Sequence, residues 1–360
     1  MLISIGLGLV ILGSLLALAI SRVGCSHPQA TKLSSTFVPG EISADSIGNW
    51  VDRGDSILGL DLETNPQRTH AAFDLLAMAL AASLRPQGDT LPSAAAVAQC
   101  MDTLYMKGDI ERATGNAGAI GVNFRPHSAS RARSAYFFYA DHGRVGFLPT
   151  GLENMESLKY AAWREALNLS LGAVGSRSGS PHAIAFLKQL SPGAWVPWDS
   201  LPSPDSLGGP GAVPSFEEQE GGAPLLVFRY ASPAGPFEEC PACPHRYFDR
   251  VWRTDLSSLT SLGDQMEETP YAVMVSFIEA LSLGDTNGAA HFALDGGALE
   301  KAKQLPLDSG NAPGGWRLAP GQLAQDSVLT VIRRGAGEFL FRLRSDGGRW
   351  KVESIDSHGL

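Results

Sequence analysis

The clearest folding pattern in this 360-residue chain is the segment Thr269–Asp285, TPYAVMVSFIEALSLGD. Thr269 is a favourable N-cap residue, and Pro270 suits the first helical position, where its missing N–H removes no hydrogen bond. Gly284 suits the position just after a helix, because glycine readily adopts the left-handed backbone that ends many helices. The apolar residues between them recur at helical spacing and predict one buried face: Tyr271, Met274, Val275, Ile278 and Leu281.

The hydrophobic period changes from 3.6 to 2 beyond this helix. Short helices are predicted from the N-cap Asp285 and over Ala298–Leu305. Glycine-rich turns then separate three predicted strands, Ser327–Arg334, Glu338–Arg344 and Trp350–Ile355. Helices followed by a run of antiparallel strands predict an α+β unit.

This order of elements resembles the cone-shaped α+β fold shared by ketosteroid isomerases and nuclear transport factor two, also called SnoaL-like or cystatin-like. Small bacterial lipoproteins and envelope proteins carry the same fold. The resemblance covers Glu267–Asp356 and nothing upstream. It is carried by Thr269-Pro270, Phe277 to Asp285, Ala289-Ala290, Phe339 to Leu343 and Trp350 to Val352. It implies a fold with a concave sheet and assigns no catalytic residue, because helix pattern and strand order carry no chemistry.

The N-terminal segment Met1–Ile20 contains no ionisable side chain and would rise about 30 Å as a helix, the thickness of a bilayer's hydrocarbon core. We therefore expect residues 1–21 to form an uncleaved membrane anchor. Cys25 is a candidate for lipidation, although Arg22 stands where lipoprotein signals carry an aliphatic residue. Arg22 and Lys32 favour a cytoplasmic body. The usual orientation of N-terminal anchors and a cysteine pair further along favour an extracytoplasmic body, which is the prediction.

The predicted fold class is α+β throughout, following the transmembrane helix. The predicted divisions are the anchor over 1–21, a stalk over 22–63, an α+β middle domain over 64–198, a loop over 199–222, a β-hairpin with a CxxC motif over 223–265, and the cone-shaped unit over 266–360. The hairpin is assigned to the middle domain. Within that domain the caps Asn65 and Ser93 begin two predicted helices, and two more are expected over Leu152–Leu171 and Pro181–Leu190.

The most distinctive local feature of the sequence is the motif Cys240-Pro241-Ala242-Cys243-Pro244-His245, which allows four interpretations. A disulfide between Cys240 and Cys243 would close the hairpin loop, and this is the favoured interpretation. A zinc site would use both cysteines and His245 but lacks a fourth ligand. A redox dithiol would need a helix after the first cysteine, where the sequence instead predicts a strand. Two unpaired thiols are the fourth interpretation.

Composition and motifs exclude several function classes. The net charge of −9 opposes binding to a phosphate backbone, so no nucleic-acid partner is expected. The chain has no Gly-x-Ser-x-Gly elbow and no phosphate-binding Gly-Lys-Ser/Thr sequence, so no catalytic residue, cofactor or metal site is predicted. Cys100 lies on an apolar helix stripe and is interpreted as core. The arginines of the last strands are expected on a solvated sheet face: Arg333, Arg334, Arg342 and Arg344.

The function expected from these observations is a membrane-tethered, non-enzymatic bacterial envelope protein that binds or assembles partners through its C-terminal unit. The alternative is an enzyme or carrier that uses the cone as a pocket for a small apolar molecule. That alternative needs a buried acid or base in the cone. The strands offer Thr330, Glu338 and Glu353, and the short helix capped by Asp285 offers His291.

Overall fold

The computed structural model describes residues 36–358, with gaps at 39, 60–64, 116–117, 128–130, 166–167, 179, 199–200, 208–211, 221, 234, 239–242, 256–257, 304 and 306–314. The helices are α1 Ala44–Leu58, α2 Pro66–Ser83, α3 Ala94–Thr103, α4 Pro270–Ser282, α5 Thr286–Phe292 and α6 Gly296–Ala302. The strands up to the middle of the chain are β1 Thr36–Phe37, β2 Lys107–Arg112, β3 Ala119–Arg125, β4 Ser134–Asp141, β5 Arg144–Glu153, β6 Ser157–Glu165, β7 Asn168–Arg177, β8 Ser180–Ser191 and β9 Ala194–Pro197. The remaining strands are β10 Val213–Glu217, β11 Leu225–Ala231, β12 Tyr247–Asp255, β13 Ser258–Met266, β14 Trp316–Leu318, β15 Val328–Arg333, β16 Gly337–Asp346 and β17 Arg349–His358.

These strands form four antiparallel sheets. The first sheet has the order β1-β5-β4-β3-β2, the second β6-β7-β8-β9, the third β10-β11-β12-β13, and the fourth β14-β15-β16-β17. The expected α+β class is therefore wrong for the chain as a whole, since successive antiparallel sheets dominate the described residues. Each sheet except the first follows chain order, as strands joined by short turns do.

The first sheet is buried on both faces. Tyr136 and Phe138 of β4 join the core beneath the helices, while the alternate residues Phe137 and Tyr139 join the core shared with the second sheet. The second sheet uses its other face, including Trp163, to form a third core with the third sheet. The order of layers is helices, first sheet, second sheet, third sheet, because adjacent side chains of a strand point to opposite faces.

The predicted helices over Leu152–Leu171 and Pro181–Leu190 are wrong, since these segments form strands β6, β7 and β8. Strand β7 has the burial pattern of a strand covered on both sides, with continuous burial over most of its length. Such strands lose the alternation of apolar and polar residues and read as apolar runs. Their apolar residues also match helical spacing by chance, which produced the wrong assignment.

The predicted stalk is also wrong where helix α1 forms. Ser43 caps this helix by accepting a hydrogen bond from the Ser46 N–H. A Cβ on Gly54 would lie 3.1 Å from the Ala72 carbonyl oxygen, so glycine allows α1 to approach α2 closely. Glycine weakens a helix in isolation, and only the contact with α2 explains why it stands here.

In the part of the chain that the structure describes, no helix is long and apolar enough to cross a membrane. The prediction of a transmembrane anchor is therefore supported by no helix among these residues and is not carried further. The segment Met1–Ile20 and the lipidation candidate Cys25 both lie outside the described residues.

Several predictions of local structure are confirmed. Asn65 caps α2, with Pro66 in its first turn, and Ser93 caps α3. Helix α4 begins after the cap Thr269 and is followed by Gly284 in the left-handed conformation, with a φ of 74°. Three strands then end the chain in the predicted meander, joined by β14 at one edge.

The C-terminal unit begins earlier in the chain than the predicted boundary at residue 266. Phe237 belongs to its core and pairs in parallel with Trp316. Arg246, which is 6% exposed at its side chain, forms an ion pair of 2.5 Å with Glu279 of α4 and donates to the Ser276 hydroxyl. This pair ties the start of β12, in the third sheet, to α4, and removing Glu279 would leave the buried charge of Arg246 without its partner.

Candidate functional site

A cavity of about 890 Å³ lies where the helices, the first sheet and the second sheet meet. Its walls come from the first turns of α2, the end of β3, the segment before β4, the end of β5 and the end of β7. The lining residues are Pro66, Thr69, His70, Phe73, Arg125, Pro126, Arg131, Ala132, Arg133, Ser134, Glu153, Asn154, Glu156, Arg177 and Ser178. The cavity is within the size range of small-molecule sites in proteins.

A large bulge in β5 shapes one wall. Ser134 pairs with Glu153 and Tyr136 with Pro149, so a single residue of β4 faces three residues of β5. The buried Thr150 hydroxyl donates to the Ala135 carbonyl and accepts from the Leu152 N–H, which replaces ladder hydrogen bonds lost in the bulge. Bulges of this kind redirect strand ends and are frequent beside functional sites. Here the bulge brings Glu153 to the cavity.

Asn154 follows the bulge in the left-handed conformation, with a φ of 55°. Its side-chain oxygen accepts from the Arg133 N–H at 3.1 Å, and its own N–H donates to the Arg133 carbonyl at 3.0 Å. Asparagine tolerates this conformation better than most residues. The reciprocal hydrogen bonds hold the backbone of Arg133 against the end of β5.

Helix α2 supplies the adjoining wall. The Asn65 side chain accepts from the Arg68 N–H, so the helix begins beside the cavity and presents His70 near its start. The N-terminal end of a helix carries a partial positive charge. This end of the 18-residue helix α2 therefore adds to the positive character of the wall.

Four arginines line the cavity, namely Arg125, Arg131, Arg133 and Arg177. Against them stand the lining carboxylates Glu153 and Glu156, so the lining has an excess of two positive charges, four minus two, with His70 neutral. Asp109 lies behind the wall, 3.8 Å from Arg125 and 3.5 Å from Arg133. Among the described residues, Arg131 and Arg177 have no ion-pair partner. The cavity is thus locally positive in a chain whose net charge is −9.

His70 and Glu153 form a close pair in the cavity lining. The His70 Nε2 atom lies 2.7 Å from a Glu153 carboxylate oxygen, and both side chains are partly exposed, at 48% and 40%. The carboxylate orients the ring and favours a proton on Nε2, which leaves Nδ1 as the atom that can accept one. The pair can therefore hold a proton next to the arginines.

A further hydrogen bond joins β4 to α2 at the residue after Phe73, which lines the cavity. The Tyr136 hydroxyl donates to a carboxylate oxygen of Asp74 at 2.8 Å. Burial raises the pKa of Tyr136, and the adjacent charge of Asp74 raises it further, because both disfavour a phenolate. Tyr136 therefore stays a hydrogen-bond donor at any physiological pH, and its bond to Asp74 holds α2 against β4.

A second polar group lies at the tip of the β4–β5 hairpin, away from the cavity lining. Asp89, Asp141 and His142 place one ligand-type atom each within 4.8 Å of one another. His142 Nδ1 lies 2.7 Å from Asp141, and this hydrogen bond raises the pKa of His142. The group is largely exposed, and its polar atoms already satisfy one another through the His142 N–H, which donates to Asp89.

The residues singled out from the sequence do not meet in this cavity. Cys243 is half-buried and disulfide-bonded, and Cys240 lies outside the described residues, so the Cys240–Cys243 bond stays a prediction. Cys100 packs against the helical core as expected, and burial raises the pKa of its thiol. His291 is exposed at the end of α5 rather than buried in a cone pocket.

The polar residues of the C-terminal strands form pairs with one another. Arg342 pairs with Asp356 at 3.7 Å, and Arg344 with Glu353 at 3.0 Å. Arg334 lies 3.6 Å from Glu238. These three fit the predicted solvated face. Arg333 departs from it, since its side chain is buried with the guanidinium 5.6 Å from the centre of the Trp316 ring.

Comparison with known proteins adds little. No family model and no curated protein matches the chain. Among solved structures, a GH32 β-fructofuranosidase mutant from Bombyx mori in complex with sucrose is similar with a TM-score of 0.28 and 9% identity. The match spans 66% of this chain and 48% of that enzyme's chain. No helix of the described residues supports the membrane-tethered part of the expected function, and the expectation of a non-enzymatic, membrane-tethered envelope protein is withdrawn. At that TM-score the likeness carries no argument about what this chain does.

The cavity residues were missed because they are far apart in the chain. His70 and Glu153 are separated by a helix, three strands and their loops. The only local signal is the run Arg125 to Arg133, in which three arginines fall within nine residues. A basic loop between two strands is usually solvated, so it gives no reason to predict a cavity without the neighbouring elements.

Proposed function

We propose that this protein binds a small anionic molecule in the arginine-lined cavity between α2 and the first and second sheets. The observation that carries the proposal is the convergence of four arginines from three separate segments on one cavity. Guanidinium groups bind carboxylates and phosphates with two parallel hydrogen bonds, which gives both affinity and orientation.

The arrangement of charge supports an anion rather than a cation or an apolar ligand. Arg131 and Arg177 come from two different segments, the one before β4 and the end of β7, and among the described residues neither has an ion-pair partner. The positive end of α2 and the donor groups of Thr69 and Ser178 add further polar partners. An acidic protein that gathers unpaired arginines in a concave site has a local field opposite to its overall field, and such a field attracts anions.

The test is calorimetric titration with sulfate, chosen because it stays a dianion across the neutral pH range. We expect saturable binding in the millimolar range or tighter, as suits a single small anion. The double variant Arg131→Gln and Arg177→Gln should weaken binding by about tenfold or more, since each lost charge-assisted hydrogen bond contributes about 1.5–3 kcal/mol.

A matched control removes an arginine elsewhere. Arg334→Gln changes the net charge by one and lies on the exposed part of the fourth sheet, beside Glu238. It should leave sulfate affinity unchanged within about twofold. Absence of saturable sulfate binding to the unaltered protein, or equal weakening by Arg334→Gln, would overturn the proposal.

A further inference from the structure

The cavity lining contains a histidine that lies within hydrogen-bond distance of a carboxylate. We infer that His70 supplies a pH-dependent fifth positive charge to the cavity, held by Glu153, so that an anionic ligand binds together with a proton. The inference rests on the proposed anion-binding function and adds its regulation.

The geometry places the proton at a defined position. His70 Nε2 and the Glu153 carboxylate oxygen are 2.7 Å apart, and both residues line the cavity. A protonated imidazole at this distance keeps its hydrogen bond to Glu153 and directs its second N–H elsewhere. Since the two side chains are nearly half exposed, the proton can exchange with solvent without opening the fold.

Charged groups from every wall surround His70. Asp74 lies one turn further along α2, where its carboxylate accepts from Tyr136. The strands contribute Glu153 and Glu156, and the facing segments contribute the four arginines. A bound anion would add negative charge beside His70. An adjacent negative charge favours a protonated imidazole, so ligand binding promotes proton uptake.

The coupling is reciprocal. If an anion favours the protonated form of His70, then protonation raises the affinity for that anion by the same factor. Histidine is the side chain whose charge ordinarily changes between about pH 5 and pH 8. Anion binding is therefore tighter at the acidic end of that range. If the ligand itself does not titrate, this pH dependence of the affinity arises from the protein.

The experiment is sulfate titration of the full chain at about pH 5.5 and at about pH 8. We expect affinity about fivefold higher at the lower pH, together with net proton uptake measured by repeating the calorimetry in buffers of different ionisation enthalpy. The variant His70→Gln should still bind sulfate, with the pH dependence reduced to less than about twofold. The control His142→Gln removes a histidine that also adjoins a carboxylate but lies at the hairpin tip, and it should keep the full pH dependence.

The outcomes separate the two proposals. If sulfate fails to bind at either pH, the proposed function itself is wrong. If sulfate binds with equal affinity at both pH values, or if His70→Gln retains the pH dependence, the anion site stands and the coupling through His70 is wrong. A pH dependence lost in His142→Gln would likewise assign the proton to the hairpin tip and overturn the inference.

Discussion

The second and fourth sheets are both four-stranded antiparallel meanders. Only the fourth has strands that the sequence pattern predicts as strands. Strand β16 alternates buried Phe339, Phe341 and Leu343 with exposed arginines, because one face packs on α4 and the other meets solvent. Strand β7 is buried along most of its length, because both faces pack on other sheets. The alternation of apolar and polar residues along a strand therefore indicates burial on one face, and a strand buried on both faces lacks it.

The largest expected effect tests the double burial of the first and second sheets. Phe137 packs between them, with its ring centre 5.3 Å from that of Tyr160. Phe137→Ala should lower the free energy of unfolding by about 3–5 kcal/mol in urea denaturation, since it opens a cavity between two sheets. The control Arg344→Ala, on the solvent face of the fourth sheet, should change it by less than about 1 kcal/mol. A loss below about 1 kcal/mol for Phe137→Ala would show that the two sheets do not share a core.

The next effect tests the packed face of the fourth sheet. Ile278 of α4 is fully buried against this sheet. Ile278→Ala should lower the free energy of unfolding by about 2–5 kcal/mol in the same measurement. A loss below about 0.5 kcal/mol would mean that α4 presents another face to the strands.

A smaller effect tests how closely the first and second sheets approach. A Cβ on Gly121 of β3 would lie 2.2 Å from ring atoms of Tyr160, a contact that requires the ring to move. Gly121→Ala should therefore cost about 1–3 kcal/mol through overpacking. The double variant with Tyr160→Leu should recover part of that loss, because it removes the ring. If the second substitution recovers nothing, the cost of Gly121→Ala does not come from this approach.

The smallest effect concerns the exposed hairpin tip, where no core is involved. The hydrogen bond from His142 to Asp141 raises the pKa of His142, and the negative charges of Asp141 and Asp89 raise it further. A histidine whose folded pKa is raised adds stability that is complete below its unfolded pKa and is lost as the pH rises through its folded pKa. NMR titration of the ring should give a midpoint above about 6.5, the ordinary histidine value. Asp141→Asn should lower that midpoint, and an unchanged midpoint would contradict the assignment.

Local features of the fold could be predicted where the cause is local. The caps Asn65, Ser93 and Thr269 satisfy backbone N–H groups within three residues, so the helix starts were found without knowledge of any neighbour. Helix α1 was missed because its segment is mixed and polar, and the reason for Gly54 within it is the close approach of Ala72 of another helix.

The candidate site could not be predicted because no part of it is a sequence motif. Glu153 reaches the cavity only through the bulge in β5, and the bulge is visible only in the pairing with β4. His70 meets it because α2 packs across the first sheet. The CxxC motif, by contrast, is conspicuous in the sequence, and its described residues Cys243 to His245 are not among the cavity-lining residues.

The sequence by itself determined the helix caps, the amphipathic helix α4, the one-sided strands of the fourth sheet and the acidic net charge. Each of these depends on neighbouring residues or on composition alone. Only the tertiary structure decided that residues 157–191 form strands, that successive sheets stack, and that four arginines and a histidine–glutamate pair share one cavity. The physical reason is that burial on both faces removes the polar half of the pattern, and that charges brought together by packing carry no spacing signal along the chain.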